Sequence, residues 1–164
     1  MFQSTSYTLL ISMLRRRPGA IARLRGNEAH PRLGGEVLFY EVPWGVFVVA
    51  DVAGLPIAAG ECAQRIFGLH IHSGSACDGQ NGEPFSIAGG HYNPHDCPHP
   101  YHAGDLPPLF GAGDRAFSAF VTDRFTISEV VGKTVLLHAE PDDFTTQPAG
   151  NAGARIACGV IRGT

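Results

Sequence analysis

Six of the eight histidines fall between Gly68 and Asp105: His70, His72, His91, His95, His99 and His102. Cys77 and Cys97 lie in the same stretch, and Asp105 closes it. Imidazole, thiolate and carboxylate are the side chains that ligate transition metals, so this density points first to a metal site. His91, His99, His102 and Asp105 form the strongest set. Three imidazoles and a carboxylate on one loop can surround a zinc ion tetrahedrally and leave no position open. His102 and Asp105 are joined by Ala103-Gly104, which suits a tight turn bringing both side chains inward. His95 could also be a ligand, but its place in the loop better fits an exposed histidine. On a strand, His70 and His72 would share a face about 6.5 Å apart, a spacing for two neighbouring positions around one ion. Alone, the pair better fits a half-buried strand showing two polar residues to water. His138, in Val135-Leu136-Leu137-His138-Ala139, by itself signifies only a satisfied polar group at a strand end.

The rest of the chain must position these groups. Ala20–Arg25, Glu36–Tyr40, Val46–Val52, Ile66–His72, Leu106–Phe110, Ala116–Val121, Thr134–Ala139 and Arg155–Ile161 read as short strands rich in β-branched and aromatic residues. Val42-Pro43-Trp44-Gly45 is a turn, and 55–64 is a loop containing Cys62. Residues 73–104 show little periodicity, and a loop of that length calls for a reason to be ordered, which metal ligation would supply. The pattern predicts an all-β sandwich or barrel. A chain of 164 residues with 44% apolar and 16% charged residues fits one globular domain with a real core. Its net charge of −3 shows no basic face for a nucleic-acid partner.

At the N-terminus, Tyr7–Leu14 is apolar, but no basic residue precedes it and Arg15-Arg16-Arg17 follow it. That order is the reverse of a signal peptide's, and the run is too short to span a bilayer. Leu9, Leu10, Met13 and Leu14 are spaced for one face of a short helix stopped by Pro18-Gly19. We expect an N-terminal helical extension over 1–19, a domain over 20–164, a cytoplasmic protein and no membrane partner.

Four motifs occur in order: Gly68-Leu69-His70-Ile71-His72, Gly89-Gly90-His91-Tyr92-Asn93-Pro94, His102-Ala103-Gly104-Asp105-Leu106, and Gly150-Asn151-Ala152-Gly153-Ala154-Arg155-Ile156-Ala157-Cys158-Gly159-Val160-Ile161. Together with His138 in its strand, they resemble the copper/zinc superoxide dismutase family, in its bacterial form, over roughly 20–161. The resemblance implies an eight-stranded antiparallel Greek-key barrel of immunoglobulin-like architecture, with long metal-binding and electrostatic loops. It implies dismutation of superoxide to dioxygen and hydrogen peroxide, with copper and zinc ions as cofactors. His70, His72, His91 and His138 match the copper ligands, a nitrogen set suited to Cu(II). His91, His99, His102 and Asp105 match the zinc ligands, with His91 bridging the two ions and passing a proton to the product. Asp142 matches a carboxylate that ties a copper histidine to a zinc histidine, although Asp143 beside it could serve. Arg155 matches the guanidinium that docks the superoxide anion.

Cys77 and Cys158 match the family's disulfide, which would stabilise by about 4–5 kcal/mol in the chain-entropy model. Cys62 and Cys97 lie outside the pattern, and a second disulfide between them is our hypothesis. Two intervals are shorter than the family's: three residues from His99 to His102, and the loop from His138 to Arg155. The alternative to an enzyme is a metal-binding protein of the same fold, for copper or zinc storage or sensing. Such a protein would be expected to lack a copper ligand or the arginine, and here none is missing. The resemblance also implies a homodimer.

Overall fold

The structure, a computed structural model, describes residues 12, 13 and 15–164. Nine strands form: β1 (Ala20–Gly26), β2 (Gly34–Val42), β3 (Gly45–Ala53), β4 (Ile66–Phe67), β5 (Leu69–His72), β6 (Leu109–Ala112), β7 (Arg115–Thr122), β8 (Thr134–His138) and β9 (Arg155–Gly163). Their order is β4-β6-β7-β3-β2-β1-β9-β8-β5, every pair antiparallel. The expected eight strands become nine because Ile66–His72 breaks at Gly68. Before the break Ile66 pairs with Phe110 of β6; after it Leu69 pairs with Leu137 of β8. The Gly68 N–H donates to the Glu140 carbonyl at 2.9 Å, and its own carbonyl accepts the His138 N–H at 2.8 Å. Its pairing thus changes from one neighbour to the other, and the two ends of the sheet meet there as a nearly closed barrel.

Alternation along the strands fills the barrel. Ala22 and Leu24 of β1, Val37 and Phe39 of β2, Val48, Ala50 and Val52 of β3, Leu69 and Ile71 of β5, and Val135 and Leu137 of β8 are all buried in one core. A second cluster of Met13, Tyr40, Phe47 and Val49 lies apart from it, so the residue before Arg15-Arg16-Arg17 that the structure describes packs on the domain. The remainder of the expected N-terminal helix, residues 1–11 and 14, lies outside the described residues. A third cluster, Ala88, Leu136 and Cys158, sits beside the disulfide Cys77–Cys158, which closes a separation of 81 residues. Among the described residues no helix is long and apolar enough to cross a membrane.

One expected boundary is corrected and one element is new. Strand β6 starts at Leu109, not Leu106, because Pro107 and Pro108 have no N–H to offer a ladder. A four-residue helix, α1 (Ile127–Val130), was not expected; Thr126 and Glu129 form a capping box at its start and turn Ile127 and Val130 inward.

The long loop from 73 to 108 is ordered because it covers the open edge of β5. The Ile71 N–H donates to the Gly104 carbonyl at 2.8 Å, the Tyr92 N–H to the Ile71 carbonyl at 2.7 Å, and the Ser73 N–H to the Gly90 carbonyl at 2.9 Å. Isolated bridges set His72 opposite His91 and His70 opposite Asp105. Gly104 is required where the two backbones approach, since a Cβ there would collide with the Ile71 carbonyl. Gly104→Ala is therefore expected to lower stability by about 1–3 kcal/mol. Urea denaturation of the metal-free chain checks this, and an unchanged midpoint would contradict the close packing of loop on strand.

Candidate metal centre

The bridges across β5 and the adjoining β8 bring the histidines together. His70, His72, His91 and His138 each offer a ring nitrogen, and these atoms lie within 4.8 Å of one another; so do the ligand atoms of His91, His99, His102 and Asp105. His91 belongs to both groups. His70 and His72 are 0% and 1% exposed, which removes the reading of two strand histidines shown to water. His95 is exposed and belongs to neither group.

An imidazole has two nitrogens, and the protein takes one from most of these rings. His70 Nε2 lies 2.8 Å from Asp142 Oδ2, leaving Nδ1 free to face the group. His72 Nδ1 lies 2.8 Å from the Gly89 carbonyl and His138 Nδ1 3.3 Å from the Gly153 carbonyl, leaving the two Nε2 atoms facing each other at 3.3 Å. In the second group His99 Nε2 lies 2.9 Å from Asp142 Oδ1, so one buried carboxylate joins His70 to His99. Asp143 is not the connecting acid: its carboxylate accepts from the N–H and hydroxyl groups of Thr145 and Thr146 and closes its own turn. The carbonyls of Gly89 and Gly153 orient two rings, yet sequence reading missed them, because a backbone acceptor leaves no side-chain signal.

Arg155 is aimed by an irregularity. Between β8 and β9 the register shifts at Leu137/His138, so Leu137 faces Ala157 but His138 faces Arg155. The guanidinium donates to the carbonyls of Phe85 at 2.8 Å and Gly89 at 2.6 Å. It then borders a cavity of about 610 Å³ lined also by His72, His91, His138 and Asn151. Burial lowers the basicity of Arg155. The disulfide holding Cys158 fixes the strand that carries it. The hypothetical pair Cys62–Cys97 is not formed: both are free, Cys62 exposed and Cys97 half-buried. Asn93 holds Cys97 in a turn by accepting from its N–H at 3.0 Å and donating to its carbonyl at 2.8 Å, which leaves Sγ near the His95 carbonyl.

With this geometry in place, likeness to known proteins is informative. The family model described as copper/zinc superoxide dismutase (SODC) matches residues 34–161. A Cu-Zn superoxide dismutase of Deinococcus radiodurans is 36% identical over 149 residues, covering 80% of this chain and 78% of that protein. One from Photobacterium leiognathi is 36% identical over 142 residues, covering 78% of each. The chain belongs to the copper/zinc superoxide dismutase family. The solved structure of a Cu/Zn superoxide dismutase from Brucella abortus matches with a TM-score of 0.71 at 25% identity, over 86% of this chain and 98% of that one.

In a chain of the copper/zinc superoxide dismutase family, unpartnered atoms test whether metals fit. His70 Nδ1 and His91 Nε2 are buried with no hydrogen-bond partner, and His99 Nδ1 and His102 Nδ1 are buried against Asp105 Oδ2 at 3.0 and 3.3 Å. Such atoms cost about 1–3 kcal/mol each when left alone, and metal coordination removes that cost. His70 and His91 belong to the first group, and His91, His99 and His102 to the second. Protonation states agree with ligation, which needs neutral imidazole. Burial first, then neighbouring histidines and Arg155, push His72 down to about 2 and His138 down to about 3. Burial lowers His70 as well. Burial would raise Asp142 and Asp105, but hydrogen bonds from the histidines outweigh it and hold both below the usual carboxylate value.

These shifts make the metal-free chain sensitive to acid. Unfolded, His72 and His138 take up protons below about 6.5; folded, they stay neutral down to about 2 and 3. Across that window the unfolded state binds more protons, so stability present above about 6.5 is lost progressively as the pH falls. Thermal midpoints of the metal-free chain, recorded from about pH 8 to about pH 4, are expected to decline below about 6.5. A flat profile would contradict the buried neutral histidines.

Proposed function

We propose that this chain is a superoxide dismutase that holds one copper and one zinc ion and converts superoxide to dioxygen and hydrogen peroxide. The observation that carries the reading is the convergence of four ring nitrogens, three of them on residues that line an open cavity together with Arg155. His70 Nδ1, His72 Nε2, His91 Nε2 and His138 Nε2 would hold copper. His91 Nδ1, the Nδ1 atoms of His99 and His102, and the carboxylate of Asp105 would hold zinc. Bound copper supplies the one-electron chemistry that oxidises one superoxide and reduces the next, and bound zinc keeps the shared imidazole oriented.

The chain's own residues do the rest. Asp142 locks the rings of His70 and His99, and the Gly89 and Gly153 carbonyls lock those of His72 and His138. A chain of net charge −3 repels an anion at long range, so the fixed cation of Arg155 must attract it locally. Two carbonyls restrain its guanidinium, so superoxide meets a donor already in place and forms a charge-assisted hydrogen bond. His91 lines the same cavity, and its Nε2, when not committed to copper, is the atom that would hold the proton passed to the departing product. The storage or sensing reading is disfavoured, since no ligand of the first group is lacking and Arg155 stands beside it. A domain over 20–164 with an extension over 1–19, a homodimer and a cytoplasmic location belong to the same proposal, on family likeness and on the charge order around Tyr7–Leu14.

Protein prepared with both metals is expected to contain about one copper and one zinc per chain by elemental analysis and to dismutate superoxide. His138→Ala is expected to abolish turnover and copper binding while retaining zinc. Copper without turnover, or zinc without copper, would favour the storage reading. Arg155→Ile is expected to keep both metals and lower kcat/KM about tenfold to hundredfold, the worth of one hydrogen bond to a charged group.

A further inference from the structure

The segment from His99 to Asp105 carries three of the four groups assigned to zinc, with only Pro100 and Tyr101 between the two histidines. Tyr101 is 66% exposed and Pro100 is half-buried, so little packing from inside the interval fixes its shape. Its backbone is held from outside instead. The Gln147 side chain forms a pair of hydrogen bonds with one residue: Oε1 accepts the His99 N–H at 2.9 Å, and Nε2 donates to the His99 carbonyl at 2.7 Å. Gln147 lies on the loop that also provides Asp142, so this loop grips His99 at both backbone and ring. From another direction, one terminal nitrogen of Arg124 approaches the carbonyls of Pro100 at 3.2 Å, His102 at 3.3 Å and Asp105 at 3.3 Å. Its two hydrogens are shared among three acceptors, and its charge offsets three carbonyl dipoles that converge on one point.

We propose that Arg124 and Gln147 are positioning residues for the zinc group, doing from outside what a longer interval between His99 and His102 would do from within. Gln147 fixes where the His99 ring starts, and Arg124 fixes the turn that points His102 and Asp105 toward it. Neither touches the four nitrogens assigned to copper. The proposal rests on the zinc reading of His91, His99, His102 and Asp105.

The test uses the full chain and four variants: Arg124→Met, Arg124→Lys, Gln147→Leu and Gln147→Glu. Zinc affinity is measured by chelator competition, site geometry by the visible spectrum of Co(II) in place of zinc, copper content by elemental analysis, and folding by the thermal midpoint of the metal-free chain. Both side chains are exposed, so all four variants are expected to fold with nearly wild-type midpoints. Arg124→Met and Gln147→Leu are each expected to weaken zinc binding by about tenfold to hundredfold, the range for groups that orient metal ligands, and to alter the Co(II) spectrum. Arg124→Lys, which keeps the charge, and Gln147→Glu, which keeps the acceptor for the His99 N–H, are expected to recover part of the loss. Copper content should stay constant throughout. Wild-type zinc binding with no change in Arg124→Met and Gln147→Leu would overturn the positioning role alone. A fall in zinc affinity matched by an equal loss of metal-free stability would overturn it too, by reducing both residues to fold stabilisers. A wild-type chain that binds no zinc would overturn the zinc reading and this proposal with it.

Discussion

An imidazole has two nitrogens, and most of this centre follows from how the protein uses one of each pair. His70, His72, His99 and His138 each give one ring nitrogen to a carboxylate or carbonyl, which fixes the ring plane and turns the other nitrogen inward. His91 differs in that both its nitrogens point into the centre: Nδ1 lies 2.7 Å from Asp105 Oδ1, itself a member of the second group, and Nε2 is unpartnered. Its position depends on the backbone, and the bridge to His72 supplies it. The shared histidine is thus placed by a strand edge, and His70, His72, His99 and His138 by their second nitrogen.

The barrel's design serves that edge. Strand Ile66–His72 changes partners at Gly68, so its second half has β8 on one side and nothing but the long loop on the other. An unpaired edge is a hazard in most sheets. Here it is the template on which the loop is laid in register, putting His91 and Asp105 beside His72 and His70. On the far side of β8, the shifted register sets Arg155 opposite His138. His70, His72, His138 and Arg155 therefore stand on neighbouring strands whose inner faces are closed by the core.

Much of this was legible in the sequence. Alternating β-branched residues marked the strands, and the histidine-rich stretch marked the centre. Four short motifs in order gave the family and, with it, candidate roles. What escaped is instructive. His70 and His72 could not be read as buried from their own strand, because the cover comes from residues 89–106. Asp142 and Asp143 are chemically alike, and only the fold separates the acid facing two rings from the one closing a turn. The hypothetical pair Cys62–Cys97 does not form, and Asn93 commits Cys97 to a local turn. The helix capped by Thr126 and Glu129 also escaped, because four residues are too few for periodicity to reveal.

The carboxylate of Asp142 spans the two histidine groups, and His91 is common to both. An ion that draws His70 toward it pulls on a ring two hydrogen bonds away, and an ion seated against His91 presets the other face of the same imidazole. Occupancy on one side is therefore information on the other. Reciprocity is then unavoidable: by whatever factor the first ion changes the affinity for the second, the second changes the affinity for the first. The two groups are then linked, and the binding constant of each is defined only for a stated occupancy of the other.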